Sequence, residues 1–163
     1  MSLAICPGSF DPITLGHLNI IRRASNIFDK VVVCIMVNSS KTKPMFSIEE
    51  RVEMVRKVVE RFPNVEVDTN DGLLAEYAKK YEKPVIVKGL RASSDFEYEF
   101  QMNNINKKIN PELETMFLTA SEKYTFLSSS AVREMAYYGA KLNEFVPCEI
   151  IEEIEKKAQL WRR

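Results

Sequence analysis

Residues that bind zinc or form disulfides are scarce in this sequence. It contains one histidine and three cysteines in 163 residues, and Cys6, Cys34 and Cys148 are far apart, with no metal-ligand spacing. This scarcity argues against a zinc site. Two of the cysteines lie in apolar, strand-like runs, where a thiol behaves as a small buried hydrophobe. We therefore expect reduced thiols and a cytoplasmic protein.

Net charge and long apolar runs are also missing. The 23 basic residues balance the 23 acidic ones, so the overall charge does not indicate nucleic acid as a partner. The longest apolar run, residues 31–37, is too short to span a membrane. The N-terminus lacks the charged and apolar segments of a signal peptide. We expect neither a nucleic-acid nor a membrane partner, and any anion site must come from local clusters.

Apolar, strand-like runs alternate with amphipathic segments along the whole chain. Strands are predicted at residues 3–6, 31–37, 65–67, 84–87 and 115–118, and helices at 18–28, 48–62, 73–81, 94–108, 128–138 and 149–160. No linker or repeat interrupts the alternation, so residues 1–163 are predicted to form a single domain. The pattern predicts a Rossmann-like α/β fold, with an open, parallel five-stranded sheet and helices on both faces.

Small, basic and hydroxylated residues follow four of the predicted strands, where open parallel sheets bind their ligands. They are Ser9, Phe10, Gly16, His17, Lys41, Lys43, Lys88, Gly89, Arg91, Tyr124 and the serines at 128–130. Each has a simpler explanation alone, because serines before a helix usually cap it and loop lysines are usually solvated. Together they supply the charges, hydroxyls and helix N-termini that bind polyphosphate. Their coincidence at one sheet edge favours such a site.

Three segments at this edge resemble the nucleotidyltransferase superfamily. Thr14-Leu15-Gly16-His17 matches its TxGH signature, and LSSSAVR at 127–133 is similar to its ISSSxxR signature. GLRASSDFEYE at 89–99 matches the G-x-R-x-x-x-D-x-x-x-E pattern of bacterial phosphopantetheine adenylyltransferases, and the likeness covers nearly the whole chain. The resemblance implies adenylyl transfer from ATP to 4′-phosphopantetheine, giving dephospho-coenzyme A and pyrophosphate, with Mg²⁺ as cofactor and a homohexamer as the assembly.

The resemblance also implies a role for each residue at this edge. His17 would contact the α-phosphate of ATP and act in catalysis with Lys41 and Arg91. The ATP site would be lined by Ser9, Phe10, His17, Gly89, Leu90, Arg91, Glu99, Tyr124, Thr125, Phe126, Leu127, Ser128, Ser129 and Ser130. Phosphopantetheine would be held by Ser9, Lys41, Leu74 and Lys88. The Mg²⁺ would be held mainly by the phosphates of ATP, with no metal ligands from the protein.

Several alternatives stay open. The loop at residues 41–44 is one residue longer than in some relatives, so Lys43 competes with Lys41 as the substrate lysine. Lys88 stands where arginine is frequent, which keeps the charge but loses the bidentate fork. Nicotinamide-mononucleotide adenylyltransferase and glycerol-phosphate cytidylyltransferase are competing activities, and the match at 89–99 argues against both. A non-catalytic adenine-nucleotide sensor on the same fold is a further alternative.

Three aromatic residues near the C-terminus, Tyr137, Tyr138 and Trp161, are candidates for an oligomer interface. Aromatic side chains are enriched where subunits meet, because they bury much apolar area.

Overall fold

The structure is a computed structural model that describes residues 1–37 and 43–162. Its strands are β1 (Leu3–Gly8), β2 (Lys30–Met36), β3 (Val65–Asn70), β4 (Val85–Leu90) and β5 (Glu114–Thr119). Its α-helices are α1 (Leu15–Ile27), α2 (Ile48–Val59), α3 (Leu74–Ala78), α4 (Ser93–Ile109), α5 (Ser129–Tyr137) and α6 (Ile151–Trp161). Short 3₁₀ turns occur at Glu122–Tyr124 and Cys148–Ile150. The predicted substrate lysine, Lys41, lies outside the described residues.

All five strands pair in parallel, in the order β3-β2-β1-β4-β5. This arrangement confirms the predicted fold class. The chain runs outward from β1 to β3 on one side of the sheet, then crosses to β4 and β5 on the other. The switch point therefore lies between β1 and β4, where the carboxyl ends of the strands diverge and leave a crevice for ligands.

Helices cover both faces of the sheet, and the strand side chains alternate between two cores. Cys6 and Val33 belong to the larger core, beneath α1, α2, α5 and α6. Cys34 and Val32 belong to the smaller core, on the side of α3 and α4. The first two cysteines are buried, as predicted, while Cys148 is exposed. Within the described ranges, no helix combines the length and apolar character needed to cross a membrane.

Local signals mark several helix ends correctly, although α1 begins at Leu15 rather than at 18 and α2 ends at Val59 rather than at 62. The capping box of α2 is confirmed: Glu50 N–H donates to the Ser47 hydroxyl at 3.2 Å, and Ser47 N–H donates to the Glu50 carboxylate at 2.7 Å. Gly139 ends α5 in the left-handed region, at φ +76°. The predicted helix at 73–81 is wrong in length. After Ala78 its hydrogen bonds run to the third residue back, which is the 3₁₀ pattern.

Gly89 allows α1 to pack closely against the end of β4. A Cβ atom at this position would lie 2.9 Å from Cγ1 and 3.1 Å from Cδ1 of Ile20. A side chain at residue 89 would therefore force the Ile20 side chain, or α1 with it, to shift. Because α1 begins beside the switch point, this contact also sets the position of its first turn.

Gly89→Ala is expected to lower the free energy of unfolding by about 1–3 kcal/mol, because the added methyl group overpacks the contact with Ile20. In an Ile20→Ala background the same change should cost much less, since the overlapping atoms are gone. Urea unfolding of the four proteins gives the double-mutant cycle. Equal costs in the two backgrounds would show that Ile20 does not impose the requirement for glycine.

Candidate active site

The first turn of α1 holds the imidazole of His17. Thr14 is the N-cap, and its hydroxyl accepts a hydrogen bond from His17 N–H at 3.3 Å. In return, Thr14 N–H donates to Nδ1 of the imidazole at 3.0 Å. His17 thus takes the place that Glu or Gln holds in an ordinary capping box. The ring of Phe10 packs edge-on against the imidazole, with 5.0 Å between centroids.

These contacts determine the protonation state of His17. Nδ1 accepts the Thr14 amide proton, so the proton of the neutral ring lies on Nε2. Loss of solvation, followed by the positive charges of Lys88 and Arg91, lowers the pKa of His17 from 6.5 to about 4. At neutral pH the residue is therefore an uncharged hydrogen-bond donor. It can stabilise negative charge on a ligand without changing its own protonation.

Two cations reach the same edge from the end of β4. Lys88 forms an ion pair with Glu99 of α4 at 3.3 Å. The guanidinium of Arg91 donates to the Asp95 carboxylate through Nε at 3.1 Å and to the Leu127 carbonyl through Nη1 at 2.8 Å. Arg91 therefore links β4 to the loop before α5. Both cations are oriented by carboxylates and remain partly exposed, so a phosphate can reach them.

The serine run opens α5, and each hydroxyl has a partner. Ser128 is the N-cap and accepts from the N–H three residues later at 3.1 Å. Ser129 donates to the Pro12 carbonyl at 2.8 Å, and Ser130 accepts from Arg133 at 3.1 Å. The capping explanation therefore accounts for the Ser128 hydroxyl. The first N–H groups of α5 lie at a helix N-terminus and can donate to an anion.

The first turn of α1 packs beside the 3₁₀ turn that contains Tyr124. A Cβ atom at Gly16 would lie 3.6 Å from Cβ of Tyr124 and 3.9 Å from Cβ of Leu127, which are ordinary contact distances. Packing within the chain therefore does not require glycine here. A glycine that packing does not require is consistent with close approach of a ligand to the helix backbone. Thr125 and Phe126 lie between the 3₁₀ turn and α5, and Phe126 is exposed.

The predicted substrate-side residues lie toward the other half of the sheet. Leu74 is the first residue of α3, after the edge strand β3, and is half-buried against the smaller core. Ser9 follows β1, and its carbonyl accepts from Arg51 of α2 at 2.9 Å. Lys43 is exposed. The structure thus brings His17, Lys88 and Arg91 to the switch point, with the α5 side and the Leu74 side flanking them.

Buried charges that tie these loops together were missed from the sequence. Asp11 is 6% exposed and Arg51 is 7% exposed. Asp11 accepts hydrogen bonds from the N–H groups of Met45 and Phe46 at 3.0 and 2.9 Å. In the sequence, Asp11-Pro12 resembles a turn, and Arg51 resembles a surface residue of a helix. Their burial depends on partners distant in sequence, so local patterns give no signal for it.

The carboxylates at this edge are already paired with cations or backbone N–H groups, so they do not form a metal-binding cage. Within residues 1–37 and 43–162, no group of three or more His, Cys, Asp or Glu side chains is arranged to hold a metal ion.

Comparison with known proteins places the chain among nucleotidyltransferases. Residues 5–135 match the cytidylyltransferase-like family model. A phosphopantetheine adenylyltransferase of Caldanaerobacter subterraneus subsp. tengcongensis is 55% identical over 157 residues, which cover 96% of this chain and 98% of that protein. One from Clostridium tetani is 54% identical over 158 residues, covering 97% and 98%. A Vibrio parahaemolyticus structure, assigned as a nicotinate-nucleotide adenylyltransferase, shares the fold at 19% identity (TM-score 0.71, covering 100% and 97% of the two chains).

The single histidine makes the protonation state of His17 directly measurable by ¹H–¹⁵N NMR of the imidazole. At pH 7 we expect the Nε2–H tautomer, and we expect a protonation midpoint near 4. Because the unfolded chain takes up this proton first, the free energy of unfolding should fall as the pH drops from about 6.5 toward 4. His17→Gln should remove this pH dependence of the free energy of unfolding. A midpoint near 6.5 would contradict the buried, neutral assignment.

Proposed function

Because the chain belongs to the phosphopantetheine adenylyltransferase family, within the cytidylyltransferase-like proteins, we propose that it transfers the adenylyl group of ATP to 4′-phosphopantetheine. The products are dephospho-coenzyme A and pyrophosphate, and the reaction is a step of coenzyme A biosynthesis. Identity of 50–55% over nearly the full length of the named relatives carries this assignment. The switch-point geometry supplies a mechanism for it.

The reaction needs charge stabilisation more than proton transfer. The attacking 4′-phosphate oxygen is already anionic near neutral pH, so no general base has to activate it. We propose that Nε2–H of His17 donates to a non-bridging oxygen of the α-phosphate, which gains negative charge as the bond forms. A pKa of about 4 keeps this donor neutral at pH 7, so its role is electrostatic stabilisation of the transition state.

Arg91 and Lys88 are proposed to bring the two polyanions together. Arg91 is held by Asp95 and the Leu127 carbonyl, so little side-chain entropy is lost when it meets ATP. Lys88 is paired with Glu99, and we propose that it turns to the phosphate of phosphopantetheine when that substrate binds. The N–H groups at the N-terminus of α5 are proposed to donate hydrogen bonds to the β- and γ-phosphates.

The remaining site residues are proposed to line the two substrates. ATP would extend from His17 along the ends of β1 and β4 to the loop before α5. The residues proposed to line it are Ser9, Phe10, Gly89, Leu90, Glu99, Tyr124, Thr125, Phe126, Leu127, Ser128, Ser129 and Ser130, of which Phe10 and Leu127 have buried side chains. The pantetheine arm would run from Ser9 and Lys41 past Leu74, whose half-buried side chain can pack against an apolar chain.

Mg²⁺ is proposed as the cofactor; it would be held mainly by ATP rather than by protein ligands, and it would supply charge neutralisation for the pyrophosphate product. The nearby carboxylates support this view because each already has a partner. Asp95 pairs with Arg91, Glu99 pairs with Lys88, and Asp11 accepts two backbone N–H groups.

A cytoplasmic homohexamer is proposed as the assembly. None of the 17 residues of α4 is buried, and the helix exposes Phe96, Tyr98 and Phe100. A second exposed aromatic surface lies on α5 and α6, where Tyr138 is 76% exposed and Trp161 is partly exposed. A hexamer with both three-fold and two-fold axes needs two kinds of contact. These two surfaces can supply them.

A pyrophosphate-release assay tests the function. With ATP and Mg²⁺, 4′-phosphopantetheine should release pyrophosphate and yield dephospho-coenzyme A, while nicotinamide mononucleotide should release little. His17→Ala should lower kcat by roughly 10²–10³-fold, as for loss of one oxyanion donor, with little change in the KM for ATP.

Glu50→Ala is the control for lost stability, because it breaks the capping box of α2 and the ion pair with Lys157 without removing a proposed substrate contact. It should retain kcat despite a similar loss of capping. Binding of ATP without turnover of any acceptor would instead support the nucleotide-sensor alternative. A near-normal kcat for His17→Ala would refute the role of the imidazole.

Lys41 and Lys43 are distinguished by a pair of alanine variants. Lys41→Ala should raise the KM for phosphopantetheine by about 10-fold or more, the usual effect of losing one charge-assisted hydrogen bond. The KM for ATP should change little. Lys43→Ala should leave both values near those of the wild type. The opposite pattern in steady-state kinetics would assign the substrate lysine to Lys43.

A further inference from the structure

The carboxylate of Asp11 connects the β1–α1 loop to the segment that follows β2. Its Oδ2 accepts from Met45 N–H at 3.0 Å, and its Oδ1 accepts from Phe46 N–H at 2.9 Å. Each oxygen thus holds one of two consecutive backbone N–H groups. Met45 and Phe46 are both buried, and they come directly after the segment with the two candidate substrate lysines. The far end of that segment is therefore anchored at Asp11.

The same residue is also bound from the nucleotide side. Arg133 of α5 donates through Nη1 to the Asp11 carbonyl at 2.7 Å and lies 3.7 Å from its carboxylate. The next residue, Pro12, accepts the hydroxyl of Ser129 at 2.8 Å. The N-terminus of α5 is thus fixed to the loop that carries Asp11. Asp11 is the point where the acceptor-side segment and the nucleotide-side helix meet.

Several contacts restrain the loop around Asp11, and so restrain the distance between residues 45–46 and the start of α5. The buried carboxylate needs its two N–H donors and the nearby guanidinium, because a buried charge without partners is costly. Phe10, one residue earlier, has φ +48°, a left-handed conformation that non-glycine residues adopt only where surrounding contacts enforce it. Arg51 fixes the preceding carbonyl of Ser9. These contacts restrain the loop.

We propose that Asp11 is a positioning residue, which aligns residues 43–46, at the end of the loop that carries the candidate lysines, with the start of α5. The inference rests on the proposed function, since it concerns how the two substrates of that reaction are brought into line. Misplacement of reacting groups by about 1 Å can cost on the order of 100-fold in rate. Asp11 touches neither substrate in this view and acts through the two segments that it joins.

Asp11→Asn tests the proposal, because it keeps the size of the side chain. Only one amide oxygen remains, and the amide NH₂ must face a backbone N–H group. We expect kcat to fall at least 10-fold with both substrates saturating, while the Kd for ATP stays within about 2-fold, because Arg91 and α5 still bind it. Amide hydrogen exchange at Met45 and Phe46 should become faster.

Asn64→Ala is the matched control for lost stability. Its side-chain amide also makes two hydrogen bonds, to the carbonyls of Ser25 and Phe28, at the start of β3 rather than at the switch point. It should lower the melting temperature to a similar extent, while kcat stays within about 2-fold and exchange at residues 45 and 46 stays slow. Wild-type kcat in Asp11→Asn, or an equal loss of kcat in Asn64→Ala, would overturn the proposal.

A second variant keeps the test decisive if Asp11→Asn does not fold. Asp11→Glu retains the charge but moves the carboxylate by one methylene, so it should fold and still lose kcat at least 10-fold. Wild-type kcat in this variant would also overturn the proposal. If the wild-type protein forms no dephospho-coenzyme A, the proposed function fails. The exchange rates at residues 45 and 46 then still show whether Asp11 holds the segment.

Discussion

The reciprocal hydrogen bonds between Thr14 and His17 are the interaction on which the rest of the site depends. They begin α1, and they also use Nδ1 of the imidazole as an acceptor, which leaves the proton on Nε2. Because α1 starts beside the switch point of the sheet, the cap places a neutral donor where β1 and β4 diverge. The contact of Gly89 with Ile20 fixes the same helix against the sheet. Helix capping and the orientation of the His17 ring are therefore one structural feature.

Positive charge is concentrated at the candidate site, although the chain as a whole has no net charge. The protein has equal numbers of acidic and basic residues, yet Lys88 and Arg91 lie close enough to His17 to add to the lowering of its pKa, which is caused mainly by loss of solvation. Each cation is paired with a carboxylate on α4, Glu99 or Asp95. Such partly exposed pairs contribute little to stability. Their main effect is to orient the two cations and to limit the repulsion between them.

The features predicted correctly from the sequence are those that local interactions determine. Buried parallel strands are short apolar runs bounded by turn residues, so all five were found, and the Ser47–Glu50 box and Gly139 marked helix ends for local reasons. The predicted length of α3 was wrong because the chain continues after Ala78 with 3₁₀ hydrogen bonds, which the apolar spacing does not distinguish from an α-helix. Asp11 was missed because its partners lie 34 and 35 residues away. The roles of the site residues came from resemblance, since spacing alone gives residue types and not their ligands.

The three thiols of the protein have very different environments. Burial raises the pKa of Cys6 to about 12 and that of Cys34 to about 11, so both are kept as unreactive thiols inside the sheet. Cys148 is exposed in the turn before α6. The native protein thus carries a single attachment point for a maleimide dye, with no engineered cysteine. The other two thiols become accessible only when the sheet opens, so counting modified cysteines would distinguish intact molecules from opened ones.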